Sequence, residues 1–377
     1  ATAEASPTPS PAVSPTPATP SPLPTATANS NTSPGTTVWA APVSGSVIVA
    51  PALDNGVLFV ADDSGALHAF DAATGAPRWT IQLAGPVGGV SMAVANGLIF
   101  ARMRLDTLAA YRESDGSLAW GRQFPTLDVG TAAVESGVLY AVAVDPSDQQ
   151  HAGFLYAFDP ATGHPLWHTQ LTGMSVDAIS IPVPVVANGA AYVSASRQGA
   201  GTTSDNLLIA VSLSTHAILW SVGVTGRDLA TAGSVVYVSG EASDLSGTIP
   251  LSAVAASTGT TLWSQPIANT GQAGGFLSPP LVSGGTVFVS TYGGYAYALD
   301  AASGAQRWGV RVGGTAGVLP VALGTTVYIS SSNGLHTLDA ASGAQVWFAP
   351  TGGATSVAVG NGIVYVGSGA SVVALRA

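Results

Sequence analysis

The chain contains no cysteine and no lysine, and its ten basic residues are all arginine. Without cysteine no disulfide can staple the fold and no thiolate can serve as nucleophile or ligand, which fits a protein outside the cytoplasm that avoids redox dependence. Only 8% of the residues are charged, and 20 acidic residues leave a formal charge of −10. That balance repels phosphates, so nucleic acid and anionic lipid are disfavoured as partners. So sparse a charge also gives little colloidal repulsion, and self-association is expected. No stretch reads as an amphipathic helix, a signal peptide or a membrane-spanning run, so the sequence reads as a mature or trimmed form and membrane contact is expected only through an anchor outside it.

The scarcest large residue is placed most regularly. The eight tryptophans are Trp39, Trp79, Trp120, Trp167, Trp220, Trp263, Trp308 and Trp347, and their spacing defines a repeat of about 40 to 50 residues. Around them recurs a pattern seen clearly in Leu67 to Trp79 (LHAFDAATGAPRW), Leu155 to Trp167, Ala296 to Trp308 and Leu335 to Trp347. An alternating apolar run supplies a strand, Asp opens a turn by accepting backbone N–H bonds, Gly takes the φ > 0 position, and Trp lies in the returning strand. Upstream of several such hairpins lies another whose turn is Asn-Gly, at Asn55-Gly56, Asn96-Gly97, Asn188-Gly189 and Asn361-Gly362. Each period thus holds four antiparallel strands, the pattern of a propeller blade.

Seven full units end at Trp347, and Phe348 to Ala377 holds only three strands. The missing fourth is Thr36 to Ala40, which carries Trp39 without preceding strands of its own. The expectation is an all-β, eight-bladed propeller over residues 36–377, closed by an N-terminal strand that removes the open edges of the ring.

The D-x-x-T-G-x-x-x-W pattern resembles the repeat of the PQQ-like, quinoprotein-type propellers, a family that includes PQQ dehydrogenases and BamB-like non-catalytic scaffolds. The resemblance covers Thr36 to Ala377 and implies that the eight tryptophans dock between adjacent blades. Three copies depart from it by replacing the turn Asp with Arg112, Ser212 or Ala255, and one replaces the Gly with His216. Loss of the Asp cap predicts less regular blades there.

Residues 1–35 are almost all Pro, Thr, Ser and Ala, a composition that cannot bury a core and reads as an extended stalk or tail reaching roughly 100 Å. Strand order puts the Asn-Gly and D-x-x-T-G turns on one face of the ring and the second-to-third hairpins on the other, with the connectors between blades. Three consecutive blades carry enlarged loops on that connector face, at Asp145 to Gly153, Arg197 to Asn206 and Glu241 to Gly247. Loops on a rigid scaffold concentrate binding residues, so Asp145, Asp148, Gln149, His151, Arg197, Gln198, Asp205, Glu241 and Asp244 are candidate partner contacts. Hairpin loops also tolerate insertion cheaply, and drift is the competing explanation.

Asp128, Asp177 and Asp228, the last beside Arg227, sit on axial connectors, where they suit either turn capping or a hard cation or cofactor on the axis. Asp145 and Asp148 form a short, unspecific calcium pattern. The six histidines (His68, His151, His164, His168, His216 and His336) show no metal spacing; His68 and His336 share one strand position, which packing explains. The resemblance to PQQ dehydrogenases implies a calcium site, a general-base Asp and an adjacent cysteine pair, and the pair is missing. The sequence therefore favours a non-catalytic extracytoplasmic scaffold, secreted or at the cell surface, binding proteins without a cofactor. Self-assembly into a filament or layer through residues 1–35 is a second form of that reading, and a PQQ- and calcium-dependent dehydrogenase is the alternative.

Overall fold

The computed structural model describes residues 33–377 apart from 48, 84–91, 105, 125, 146, 148–151, 176–181, 198–205, 241–246, 269–276, 317–318 and 352–353. Among the described residues there is no helix, and the strands form eight four-stranded antiparallel blades whose innermost strands neighbour one another all the way around the ring. Blade 1 is typical, with strands Ala52–Asp54, Val57–Ala61, Ala66–Asp71 and Pro77–Gln82 in that spatial order. Blade 8 is built from both ends of the chain. Strands Ala354–Gly360, Ile363–Ser368 and Ser371–Arg376 are completed by Thr37–Pro42, with Trp39 opposite Ala374.

The core lies between blades rather than within one sheet. Eight hydrophobic clusters each join the facing sides of two adjacent blades, as when Phe59 and Leu67 of blade 1 meet Ile99 and Tyr111 of blade 2. The tryptophans reinforce these seams. Six indoles donate their N–H to a turn carbonyl of the next blade at 2.9–3.1 Å: Trp39 to Ala72, Trp79 to Glu113, Trp120 to Pro160, Trp220 to Ala256, Trp263 to Ala301 and Trp308 to Ala340. The turn glycine is required by this contact as well as by its backbone. Gly75 has φ 72°, and a Cβ there would stand 2.5 Å from the Trp39 ring. His216 occupies that place in blade 4 at φ 59° and stacks on Trp167 at 4.4 Å instead.

The substituted turns are as regular as the others, contrary to the sequence expectation. In all seven intact turns the fifth residue donates its N–H to the carbonyl of the first at 2.8–2.9 Å, including those opened by Arg112, Ser212 and Ala255. The Ser212 hydroxyl takes over the cap by accepting the Thr215 N–H at 3.1 Å, and Asp115 accepts from Ser117 at 2.9 Å in the Arg112 turn. The backbone bond, not the carboxylate, sets the geometry.

The eighth turn is divided between the two ends of the chain. Gly35, at φ 75°, donates its N–H to the Arg376 carbonyl, and Arg376 donates its own to the Thr36 carbonyl, both at 2.9 Å. These bonds repeat those of Gly75 to Asp71 and Asp71 to Ala76. Gly35 therefore stands where every other turn has its Gly or His216, against the ring of Trp347.

Candidate functional site

Blades 3 and 4 depart from the one-sheet-per-blade rule on the connector face. The outer strand of blade 3 runs on as Pro165–Ser175, and Met174 and Ser175 pair with Arg197 and Ser196 of Ala190–Arg197, the second strand of blade 4. Ser175 also pairs with Ala152, and Ser196 with Asn206, so backbone bonding crosses continuously from one enlarged hairpin to the next and makes a nine-stranded sheet. Among the described residues no other two blades share a strand ladder; elsewhere backbone bonds between neighbours are isolated, as from the Leu277 N–H to the Gly240 carbonyl at 3.3 Å. This ribbon joins the strand ends from which the two loops leave.

Of the candidate contacts, Asp145 and Arg197 lie at the edges of this ribbon. Asp145 opens the blade 3 loop, and its carboxylate accepts the Ser147 N–H at 2.9 Å and hydroxyl at 2.6 Å, which is a turn-capping role. Arg197 ends the second strand of blade 4. Asp148, Gln149, His151, Gln198, Asp205, Glu241 and Asp244 lie outside the described residues, as do the axial candidate Asp177 and residues 1–32.

Asp128 and Asp228 begin the inner strands of blades 3 and 5. Asp128 faces blade 2, where burial and the neighbouring Asp106 raise its carboxyl above the usual carboxylate range while Arg102 opposes them. Arg102 is itself 9% exposed, and burial lowers its guanidinium against the opposing pull of Asp128. The pair is a charged element between blades 2 and 3. Next to Asp228, the Arg227 carbonyl accepts the Ser194 hydroxyl at 2.6 Å and its N–H donates to Ser239 at 3.0 Å, which ties blade 4 to blade 5. Among the described residues no three His, Asp or Glu side chains converge as metal ligands.

Two polar clusters have no signature in the repeat, because each is completed by residues from another strand, connector or blade. Asp62 and His68 are both buried in blade 1, with His68 Nε2 3.0 Å from Asp62 Oδ2 and His68 Nδ1 3.0 Å from the Thr80 hydroxyl. Asp62 also accepts from the N–H groups of Gly45, Ser64 and Ala66 and the Ser64 hydroxyl. Burial pushes its carboxyl up, but these bonds outweigh burial and hold it below the usual range. The cluster anchors the connector from blade 8 onto blade 1. On the opposite face, Glu113 of the blade 2 turn meets Asp54 of blade 1, and burial, then the Asp54 charge, push its carboxyl up to about 7. Nothing in the repeat marks either carboxylate as unusual.

The family model described as Outer membrane protein assembly factor BamB matches residues 27–141, 123–294 and 246–377. Among curated proteins the chain is 25% identical over 313 residues to tetrathionate hydrolase of Acidithiobacillus ferrooxidans, covering 80% of this chain and 52% of that protein. It is 26% identical over 153 residues to BamB of Yersinia pestis, covering 36% of this chain and 37% of the relative. The chain thus spans about half or less of the length of these relatives. The crystal structure of BamB from Moraxella catarrhalis superimposes with a TM-score of 0.65 over 91% of this chain and 97% of that one, at 17% identity, which is a likeness of fold.

Proposed function

The chain belongs to the family described as Outer membrane protein assembly factor BamB, and from that premise we propose that it is a non-catalytic scaffold that works outside the cytoplasm. It binds a protein partner through the connector face of blades 3 to 5. The observation that carries this reading is the backbone ribbon at Ala152, Ser175, Ser196 and Asn206, which places two enlarged polar loops on one rigid support. Loops whose strand ends are held in one sheet have less freedom to lose on binding than loops on separate supports, so more of the contact energy appears as affinity. Loops that had merely drifted have no need of a shared sheet.

Capture experiments with the protein carrying Gly-Ser replacements in 146–151 and 198–205 test the proposal. Partner recovery is expected to fall at least tenfold with the melting temperature unchanged; equal recovery by the altered and original proteins overturns it. The similarity to a tetrathionate hydrolase favours an enzyme as the second reading. Purified protein that consumes tetrathionate, or that gains thermal stability with PQQ and calcium, would replace the scaffold with that reading.

A further inference from the structure

The outermost strand of each blade offers two positions flanking its Trp. In blades 1 and 6 these are Arg78 and Thr80, and Arg307 and Gly309; blades 4 and 5 have Leu219 and Ser221, and Leu262 and Ser264. Only blade 7 has a large apolar side chain on both sides, Val346 and Phe348, which are 57% and 38% exposed. They lie on Gln345–Ala349, an outer strand whose one ladder partner among the described residues is Gly334–Asp339. An exposed apolar edge strand is a template for another strand.

Residues 1–32 join the ring beside this strand. Ser33 accepts from Thr36, and a Cβ added at Gly35 would stand 3.0 Å from the Trp347 ring. The joining segment carries a single charge, Glu4, so laying it over an apolar edge desolvates almost no charge. Its residues 19–25 read Thr-Pro-Ser-Pro-Leu-Pro-Thr. Successive residues of a β-strand turn their N–H and C=O groups to opposite sides. Proline at every second place therefore leaves Thr19, Ser21, Leu23 and Thr25 with complete pairing groups on one side. Pro20, Pro22 and Pro24 then face away, where their missing N–H is not needed and blocks further strand addition.

We propose that residues 19–25 add to the outer edge of blade 7 of the same chain as a fifth strand and cover Val346 and Phe348. Residues 26–32 can span roughly 23 Å when extended, enough to cross that edge from Ser33. A linker this short gives the segment an effective concentration in the millimolar range, which favours its own ring over another copy.

Hydrogen exchange on the full-length protein tests the proposal. Amides of 345–349 are expected to exchange at least tenfold more slowly than those of the equivalent blade 6 strand, Gln306–Arg311. Ser21→Pro with Leu23→Pro removes inward N–H groups and should abolish the difference, whereas Pro22→Ser should keep it. Equal exchange in the two strands of the original protein overturns the proposal, as does protection that survives the double proline variant. Protection that disappears on dilution overturns it in favour of the segment of another copy.

Discussion

Trp39 closes the ring, and replacing it with Phe isolates what one seam contributes. The indole is fully buried between Phe70 and Tyr365, with ring centroids at 6.3 and 5.9 Å, and its N–H reaches the Ala72 carbonyl at 3.0 Å. Phe removes about 40 Å² of apolar surface, roughly 1 kcal/mol at 25 cal/mol/Å². A residual void of about 30 Å³ adds roughly 0.7 kcal/mol. The lost hydrogen bond contributes about 1 kcal/mol, and no more, because the Ala72 carbonyl still accepts the Tyr365 hydroxyl at 3.0 Å. Trp39→Phe should therefore destabilise by about 2.5 to 3 kcal/mol, read as a lower urea midpoint at constant slope. Trp79→Phe is the control, since Trp79 makes the same bond to Glu113 but is only half-buried, and it should cost less. A loss below about 0.5 kcal/mol for Trp39→Phe, or a larger loss at Trp79, would falsify the account of seams held by buried indoles.

Glu113→Gln should stabilise the protein above pH 7. A carboxyl whose folded value is raised from 4.5 to about 7 favours the protonated form, so the original protein loses stability as pH rises between those values. Discounted for partial exposure, the loss is about 1 kcal/mol, and unfolding curves at pH 5 and 8 should converge for the two proteins at the lower pH. Asp62→Asn has the opposite dependence. The Asp62 carboxyl is held low, so its contribution is present above about pH 4 and fades as pH falls through the folded value. The substitution should cost about 3 kcal/mol at pH 7 and much less near pH 3; an equal cost at both would exclude the charge as the source.

Much of the ring is legible in the sequence because each blade repeats the same short-range signals. Asn-Gly at Asn55 and Asn361 sits at positive φ with its glycine, and the Trp spacing counts blades, six of whose seams repeat one indole-to-carbonyl bond. What the sequence hid is non-local. The cap lost with the Asp at Ser212 and Arg112 is remade by hydroxyl and neighbouring groups, so a substitution read as damage leaves the turn intact. The pairing of Ser175 with Ser196 depends on where two blades place their strand ends, and no residue type announces it. Asp62 and Glu113 look like ordinary turn acids until the residues that face them, His68 on the strand that follows and Asp54 of the neighbouring blade, are in place. The candidate loop residues stand out in the sequence only by polarity and loop length, and of these only Asp145 and Arg197 have a described place in the fold.

The divided turn at Gly35 and Arg376 sets the order in which the molecule can be completed. Trp39 leaves the ribosome first, yet its strand partner, Ala374, follows about 335 residues later, which at ordinary synthesis rates is on the order of tens of seconds. Through that interval blades 1 to 7 can stack successively on one another, but blade 1 keeps a bare apolar face and the large indole has nowhere to go. Residues 371–376 are therefore the ones that convert an open, association-prone stack into a sealed ring. A ribosome stalled before Ser371 should hold a chain that binds hydrophobic chaperones, and release of that binding should coincide with the appearance of Arg376.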